Sequence, residues 1–179
     1  TLIGPSAAMP DLVVTGSHAK VRVVEMFRSA DDVQPGLAIA VNDLSAGPGS
    51  KLDYVAMMFC DDEDAFRVQL ETVKRTQPIL INCHPGRDYF DVERSVRFFD
   101  TVLDMASGIG AQVVFETHRT RCLYSAWSTQ RILKALPQLR ITADFSHFTA
   151  VAENNLKNPP YSDMMDLAIE RADHIHARV

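Results

Sequence analysis

The sequence predicts an α/β protein with a parallel sheet, and more specifically a (β/α)₈ TIM barrel that is incomplete in this chain. Two observations lead to this prediction. From about residue 50, apolar segments of strand length alternate with amphipathic segments of helix length, in units of roughly 25 to 35 residues. The strands after Pro78 also turn polar where they end, and polar ends that converge at one rim are typical of the active face of a barrel.

The whole chain of 179 residues is predicted to form one truncated barrel domain, because a complete barrel has roughly 250 residues. The predicted strands are 52–59, 79–84, 111–118, 140–147 and 174–179. The predicted helices are 61–75, 91–108, 128–136 and 162–172, with Ser162 as an N-cap. Residues 1–50 show no clear alternation of strand and helix segments, although 12–14, 21–27 and 37–41 each have the apolar character of a strand.

Composition narrows the function classes. The chain is 46% hydrophobic and 23% charged, which excludes a disordered protein, and no apolar run approaches the roughly 20 residues of a membrane span. A net charge of -5 disfavours nucleic acid and anionic membranes as partners. The cysteines Cys60, Cys83 and Cys122 lack C-x-x-C spacing, so we expect packing or surface thiols and a reducing, cytoplasmic location.

Glu116, Asp144 and His176 are the candidate metal ligands. Each ends a different predicted strand, and two carboxylates with an imidazole suit a divalent cation such as Mn²⁺, Mg²⁺, Co²⁺ or Zn²⁺. A single glutamate at a strand end is often only solvated or caps a helix. Three such residues at the ends of successive strands favour the metal interpretation.

Other polar residues near the same rim are candidates for substrate contacts. His147 follows Asp144 by three residues, and it would donate a hydrogen bond to a substrate oxygen or cap the next segment. His118 and Arg119 would orient Glu116, bind an anionic substrate group or form a surface salt bridge. His84 is a further candidate for lining the pocket, and Arg178 for binding the substrate. His174 shares a strand face with His176, and we expect it to be packed behind the site.

Three motifs, Phe115–Arg119, Thr142–His147 and His174–Val179, resemble in this order the xylose-isomerase-like TIM-barrel superfamily of sugar phosphate isomerases and epimerases. The resemblance covers roughly residues 52 to 179. It implies a metal held by Glu, Asp, His and a final Glu on four successive strands, with Glu116, Asp144 and His176 in the first three roles. His147 matches a histidine that contacts substrate. The final Glu has no counterpart, so we expect a truncated chain that is inactive by itself.

The function that the resemblance implies is a divalent-metal-dependent isomerase or epimerase of a sugar or small keto-polyol, working by enediolate-type proton transfer. Glu116 would then be both ligand and base. The partner is a small sugar-like molecule, and a homo-oligomer is a further option. The motif Thr117–His118–Arg119 departs from the better-known members, which leaves the substrate open. The alternatives are dehydratase or hydroxypyruvate-isomerase chemistry in the same superfamily, an endonuclease IV-like DNA repair barrel, and a non-catalytic sugar-binding barrel.

Overall fold

The computed structural model describes residues 11–14, 17–18, 20–28, 42–45, 48–49 and 51–177. The strands are β1 Asp11–Val14, β2 Lys20–Arg28, β3 Asn42–Ser45, β4 Lys51–Cys60, β5 Leu80–Pro85, β6 Gln112–Glu116, β7 Ile141–Ala143 and β8 Ala172–Ile175. The helices are α1 Glu63–Val73, α2 Val92–Ala106, α3 Ala126–Ala135, α4 Ser146–Ala152 and α5 Tyr161–Glu170, with a 3₁₀ turn at Lys74–Thr76.

The main sheet is parallel throughout and has six strands in the order β2-β4-β5-β6-β7-β8, while β1 and β3 form a separate parallel pair. From β4 onward the strands are neighbours in chain order. A doubly wound sheet would reverse this order at a switch point, so the topology favours a sheet wound in one direction, as in a barrel. The predicted α/β class and parallel sheet are therefore confirmed. In the described ranges, β2 and β8 form the two ends of the sheet, and a closed barrel is not shown.

The predicted elements after residue 50 are present with shifted ends. The strand predicted over 140–147 stops at Ala143, because Asp144 bonds Ser146 and the chain turns into the unpredicted helix α4. The last strand begins at Ala172 and ends at Ile175, so His176 follows it directly. Helix α5 begins at Tyr161, and the predicted N-cap Ser162 lies inside its first turn. The strand predicted over 37–41 lies outside the described residues.

Side-chain caps fix where three of the helices begin. Asp62 accepts a hydrogen bond from the amide of Ala65 at the start of α1, and Asp91 accepts one from Arg94 at the start of α2. Ser125 does the same for Ser128 in α3. Each cap satisfies one of the free amides of the first turn, which contributes about 1 kcal/mol. The longest of the described helices has 15 residues, and none is both long and apolar enough to span a membrane.

One face of the main sheet is apolar, and the other face carries the polar side chains toward the ends of the strands. Side chains alternate along a strand, and paired residues of parallel strands point the same way. The register Met58↔Cys83, Cys83↔Phe115, Phe115↔Ile141 therefore defines the apolar face, which packs against α1, α2 and α3. The opposite face, named the polar face below, carries these residues: Asn82, His84, Glu116, Thr142, Asp144, His174 and His176.

The three cysteines are buried, as packing thiols would be. Burial raises the pKa of Cys122 to about 11, and burial together with a hydrogen bond to Cys83 raises the pKa of Cys60 well above its usual value. Because the thiolate is the reactive form, we expect essentially no labelling of the folded protein by Ellman's reagent at pH 8. All three thiols should react in guanidinium chloride. Rapid labelling without denaturant would contradict this packing.

Gly86 lies directly after β5. We expect substitution by alanine to destabilise the protein more at Gly86 than at Gly110. The φ of Gly86 is +54°, and a Cβ added there would meet Sγ of Cys122 at 2.4 Å. Gly86→Ala should therefore lower the free energy of unfolding by roughly 2 to 4 kcal/mol, combining left-handed strain with overpacking. Gly110 has a φ of +80° with no heavy atom within 4 Å of the added Cβ. Gly110→Ala should cost only about 1 kcal/mol in the same urea titration, and equal losses would contradict the packing argument.

Candidate functional site

The carboxylate of Glu116 is the centre of the polar face. Glu116 is the last residue of β6 and is 2% exposed. Three side chains reach its Oε2: Asn82 donates through Nδ2 at 2.5 Å, His84 Nε2 lies at 3.0 Å, and His176 Nδ1 lies at 3.0 Å. Residues far apart in the chain thus meet on one oxygen.

The environment of Glu116 favours its ionised form. Burial by itself would raise the pKa of the carboxyl group. The hydrogen bonds from His176 and His84, with that of Asn82, outweigh burial and hold the pKa of Glu116 well below its usual range. Glu116 is therefore a carboxylate at neutral pH, which is the form that binds a cation.

Asp144 is the second buried carboxylate, and it follows β7 directly. Its Oδ1 accepts hydrogen bonds from the amide of Ser146 at 3.2 Å and from Oγ of Ser146 at 2.5 Å. Its backbone is tied to the end of β6, because the hydroxyl of Thr117 accepts from the Asp144 amide and lies 3.0 Å from the Asp144 carbonyl oxygen. Thr117 therefore fixes the two strand ends relative to each other, and with them the two carboxylates.

Glu116, Asp144 and His147 form the closest group of possible metal ligands in the described part of the chain. One ligand atom of each lies within 4.8 Å of the others, and all three residues are buried. Nε2 of His147 is 3.5 Å from Oδ2 of Asp144, which is long for a hydrogen bond. It matches the spacing of about 3 to 3.5 Å expected between two ligands of one cation. The donor set of two carboxylates and an imidazole fits a divalent cation.

His147 rather than His176 supplies the imidazole of this closest group. His147 lies in the first turn of α4, whose seven residues place the ring against Asp144. His176 contacts Oε2 of Glu116, and its side chain is 32% exposed. The ring of His174 lies 5.2 Å from that of His176, on the same face. The metal role of His176 and the substrate role of His147 remain predictions.

A row of imidazole rings borders the two carboxylates. His84 stacks on Phe59 at 4.3 Å, His118 meets His84 edge-on at 4.8 Å, and His118 lies 4.0 Å from His147. Nδ1 of His118 is hydrogen-bonded to the carbonyl oxygen of Arg119. Burial, and then the charge of His147, lowers the pKa of His118 to about 4. His118 is therefore a neutral imidazole at neutral pH.

For two of the predicted substrate contacts, the described structure gives no side-chain contact with the site. Arg119 is exposed, and its bond to His118 is made by its backbone oxygen. Arg178 lies outside the described residues. Their roles in binding substrate remain predictions.

Several residues around the site were not predicted from the sequence. In the sequence, Asn82 is only a polar residue at the point where an apolar strand turns polar, and its bond to Glu116 depends on the register of β5 and β6. Asp61 joins Arg87 and Arg121 at 2.5 Å each at the same end of the sheet. The guanidinium of Arg121 lies 5.8 Å from the centre of Phe59, which backs His84. Only the fold brings these loops together.

Comparison with known proteins supports the fold. No family model matches the chain, and no curated protein resembles it in sequence. The crystal structure of the probable 3-DHS dehydratase AsbF, involved in petrobactin synthesis in Bacillus anthracis, is similar with a TM-score of 0.54 and 16% identity. The match covers 70% of this chain and 50% of AsbF, so the chain spans half the length of that structure. AsbF is a xylose-isomerase-like TIM barrel, so the predicted resemblance is supported at the level of the fold.

Proposed function

We propose that this protein is a divalent-metal-dependent enzyme that acts on a sugar or small keto-polyol by removing a proton from the carbon next to a carbonyl group. The observation that carries the proposal is the buried group of Glu116, Asp144 and His147 at the carboxyl ends of parallel strands. Return of the proton to the same or the neighbouring carbon makes the enzyme an epimerase or an isomerase.

Glu116 and Asp144, with His147 or His176, would hold the cation. A divalent cation at such a site supplies a Lewis acid that polarises the substrate carbonyl. All three contacts to Glu116 fall on Oε2, which leaves Oε1 as the oxygen for the ligand role. The contacts on Oε2 keep Glu116 ionised and fixed in place, which suits Glu116 to the ligand role.

His118 is the group that we assign to accept the substrate proton. Its Nδ1 is bonded to a carbonyl oxygen, so Nδ1 carries the hydrogen and Nε2 carries the lone pair. Its ring lies between those of His84 and His147, beside the candidate ligands. This position suits a base that works on a substrate bound at the cation.

Dehydration is the second candidate. The observation that favours it is the likeness to AsbF, whose name describes a dehydratase. Loss of water from a β-hydroxy ketone can begin with the same proton removal, and then a hydroxide leaves the next carbon. The two outcomes share the site and differ in the product.

The test measures whether the proton next to the carbonyl group exchanges with deuterium from the solvent. A panel of keto-polyols is incubated with the protein and Mg²⁺ in D₂O, and the exchange is monitored by proton NMR. Exchange needs a base on one side of the carbon only, whereas epimerisation also needs a proton donor on the other side. We expect exchange that requires the metal and is lost in His118→Asn. Dehydration would add a vinyl signal from an unsaturated ketone.

His18→Asn is the matched control, because His18 is exposed in a turn before β2, at the other end of the strands. It should exchange at the wild-type rate. Exchange that is the same with and without metal would contradict the metal role, and a panel with no exchange at all would contradict the proposed chemistry.

A further inference from the structure

We infer that Asn82 is a positioning residue, which holds the Glu116 carboxylate in the orientation that a cation requires. The inference rests on the proposed metal site and adds a residue to which no role was assigned. Asn82 lies in the middle of β5 and is fully buried. Its neighbours Ile81 and Cys83 point into the apolar core, so Asn82 alone of the three faces Glu116.

The orientation of the Asn82 amide is set by its partner. Nδ2 lies 2.5 Å from Oε2 of Glu116, and a carboxylate can only accept, so the NH₂ group must face Glu116. Oδ1 then points away, and it is buried with no hydrogen-bond partner among the described residues. Buried polar atoms are nearly always paired, and an unpaired one is a feature that needs a reason.

Folding by itself does not require an amide at this position. Leu80 and Val114 form a small apolar cluster on the same face. Each lies two residues before Asn82 or Glu116 in its strand, and such residues point to the same side of the sheet. A leucine at position 82 would extend that cluster and would remove the unpaired Oδ1. The contact that a leucine could not make is the hydrogen bond to Glu116, and this contact is therefore the function that we assign to Asn82.

The contacts on Oε2 restrict the orientation of the Glu116 carboxylate. Asn82 and His84 reach Oε2 from β5, on one side of β6, and His176 reaches it from beyond β7, on the other side. With Oε2 contacted from both sides, the carboxylate cannot rotate freely, and Oε1 takes part in none of these three contacts. Groups that orient a ligand in this way typically change metal affinity by roughly 10- to 100-fold.

Thr142 provides a matched control. It lies on the polar face, paired with Glu116 in the register of β6 and β7, and it is fully buried. Its Oγ1 also lacks a hydrogen-bond partner in the described part of the chain, so its hydroxyl holds none of the candidate ligands. Thr142→Val thus removes an unpaired buried polar atom from the same face without removing a hydrogen bond to Glu116.

The experiment measures Mn²⁺ affinity by electron paramagnetic resonance for the full chain, for Asn82→Leu and for Thr142→Val, with a thermal melt of each. We expect Asn82→Leu to bind Mn²⁺ at least about tenfold more weakly while it melts cooperatively, and Thr142→Val to stay within about twofold of wild type. If Asn82→Leu does not fold, the smaller Asn82→Ser is measured in its place, with the same expected loss of affinity.

Two outcomes would overturn the inference in distinguishable ways. If the wild-type chain binds Mn²⁺ and the Asn82 variant binds it equally well, the positioning role is wrong and the metal site stands. An equal loss in Thr142→Val would also overturn it, because the effect would then be a general response to substitution on this face. If the wild-type chain binds no Mn²⁺, the proposed function itself fails.

Discussion

Glu116→Gln is expected to lower Mn²⁺ affinity by more than about 100-fold, which is the upper range for residues that only orient a ligand. The substitution keeps the size of the side chain and removes the charge that binds the cation. It also leaves Asn82, His84 and His176 facing an amide, which is a weaker acceptor than a carboxylate. Metal-dependent proton exchange should disappear in the same variant. Calorimetric titration with Mn²⁺ and the exchange assay measure the two effects.

Glu93→Gln is the control for this variant, because Glu93 is exposed in the first turn of α2. It makes the same chemical change away from the site and should bind Mn²⁺ as wild type does. If Glu116→Gln retained wild-type affinity, Glu116 would not be a ligand, and the carboxylate would have only a structural role on the polar face.

Phe115→Ala is expected to cause the largest loss of stability, about 3 to 5 kcal/mol. Phe115 is fully buried on the apolar face of β6, next to Glu116 in the chain. Its ring lies 5.2 Å from that of Phe99 in α2 and 6.5 Å from that of Phe66 in α1, so it joins two helices to the sheet. Removing it leaves a cavity that this packing cannot fill. Urea denaturation followed by circular dichroism measures the change.

Tyr89→Ala provides the comparison, since Tyr89 is an aromatic residue that is 78% exposed. Its substitution should change the free energy of unfolding by about 0.5 kcal/mol or less. Similar losses in Phe115→Ala and Tyr89→Ala would be inconsistent with the packing of α1 and α2 on β6.

The regular part of the fold was predictable because its signals are local. Strands such as β5 are continuous apolar runs, and α2 carries its apolar residues at helical spacing over 15 residues. Helix α4 was missed because seven residues make fewer than two turns, too few for a periodic pattern. Its start depends on the Asp144 side chain bonding Ser146, and the sequence suggested a continuing strand there.

The candidate site was predictable where strand ends alone determine position. Glu116 and Asp144 end neighbouring parallel strands, so their meeting follows from the topology. Which imidazole lies nearest to them does not follow, because the position of His147 depends on α4 and that of His176 on the end of β8. The contact of Asn82 with Glu116 requires the register of β5 against β6, which a single sequence does not specify.

Anomalous diffraction from crystals of the protein soaked in Mn²⁺ tests the central claim most directly. The account predicts one strong peak on the polar face, within about 2.0 to 2.4 Å of oxygens of Glu116 and Asp144 and of a ring nitrogen of His147 or His176. A peak coordinated by other residues, or no peak between the two carboxylates at saturating Mn²⁺, would contradict it.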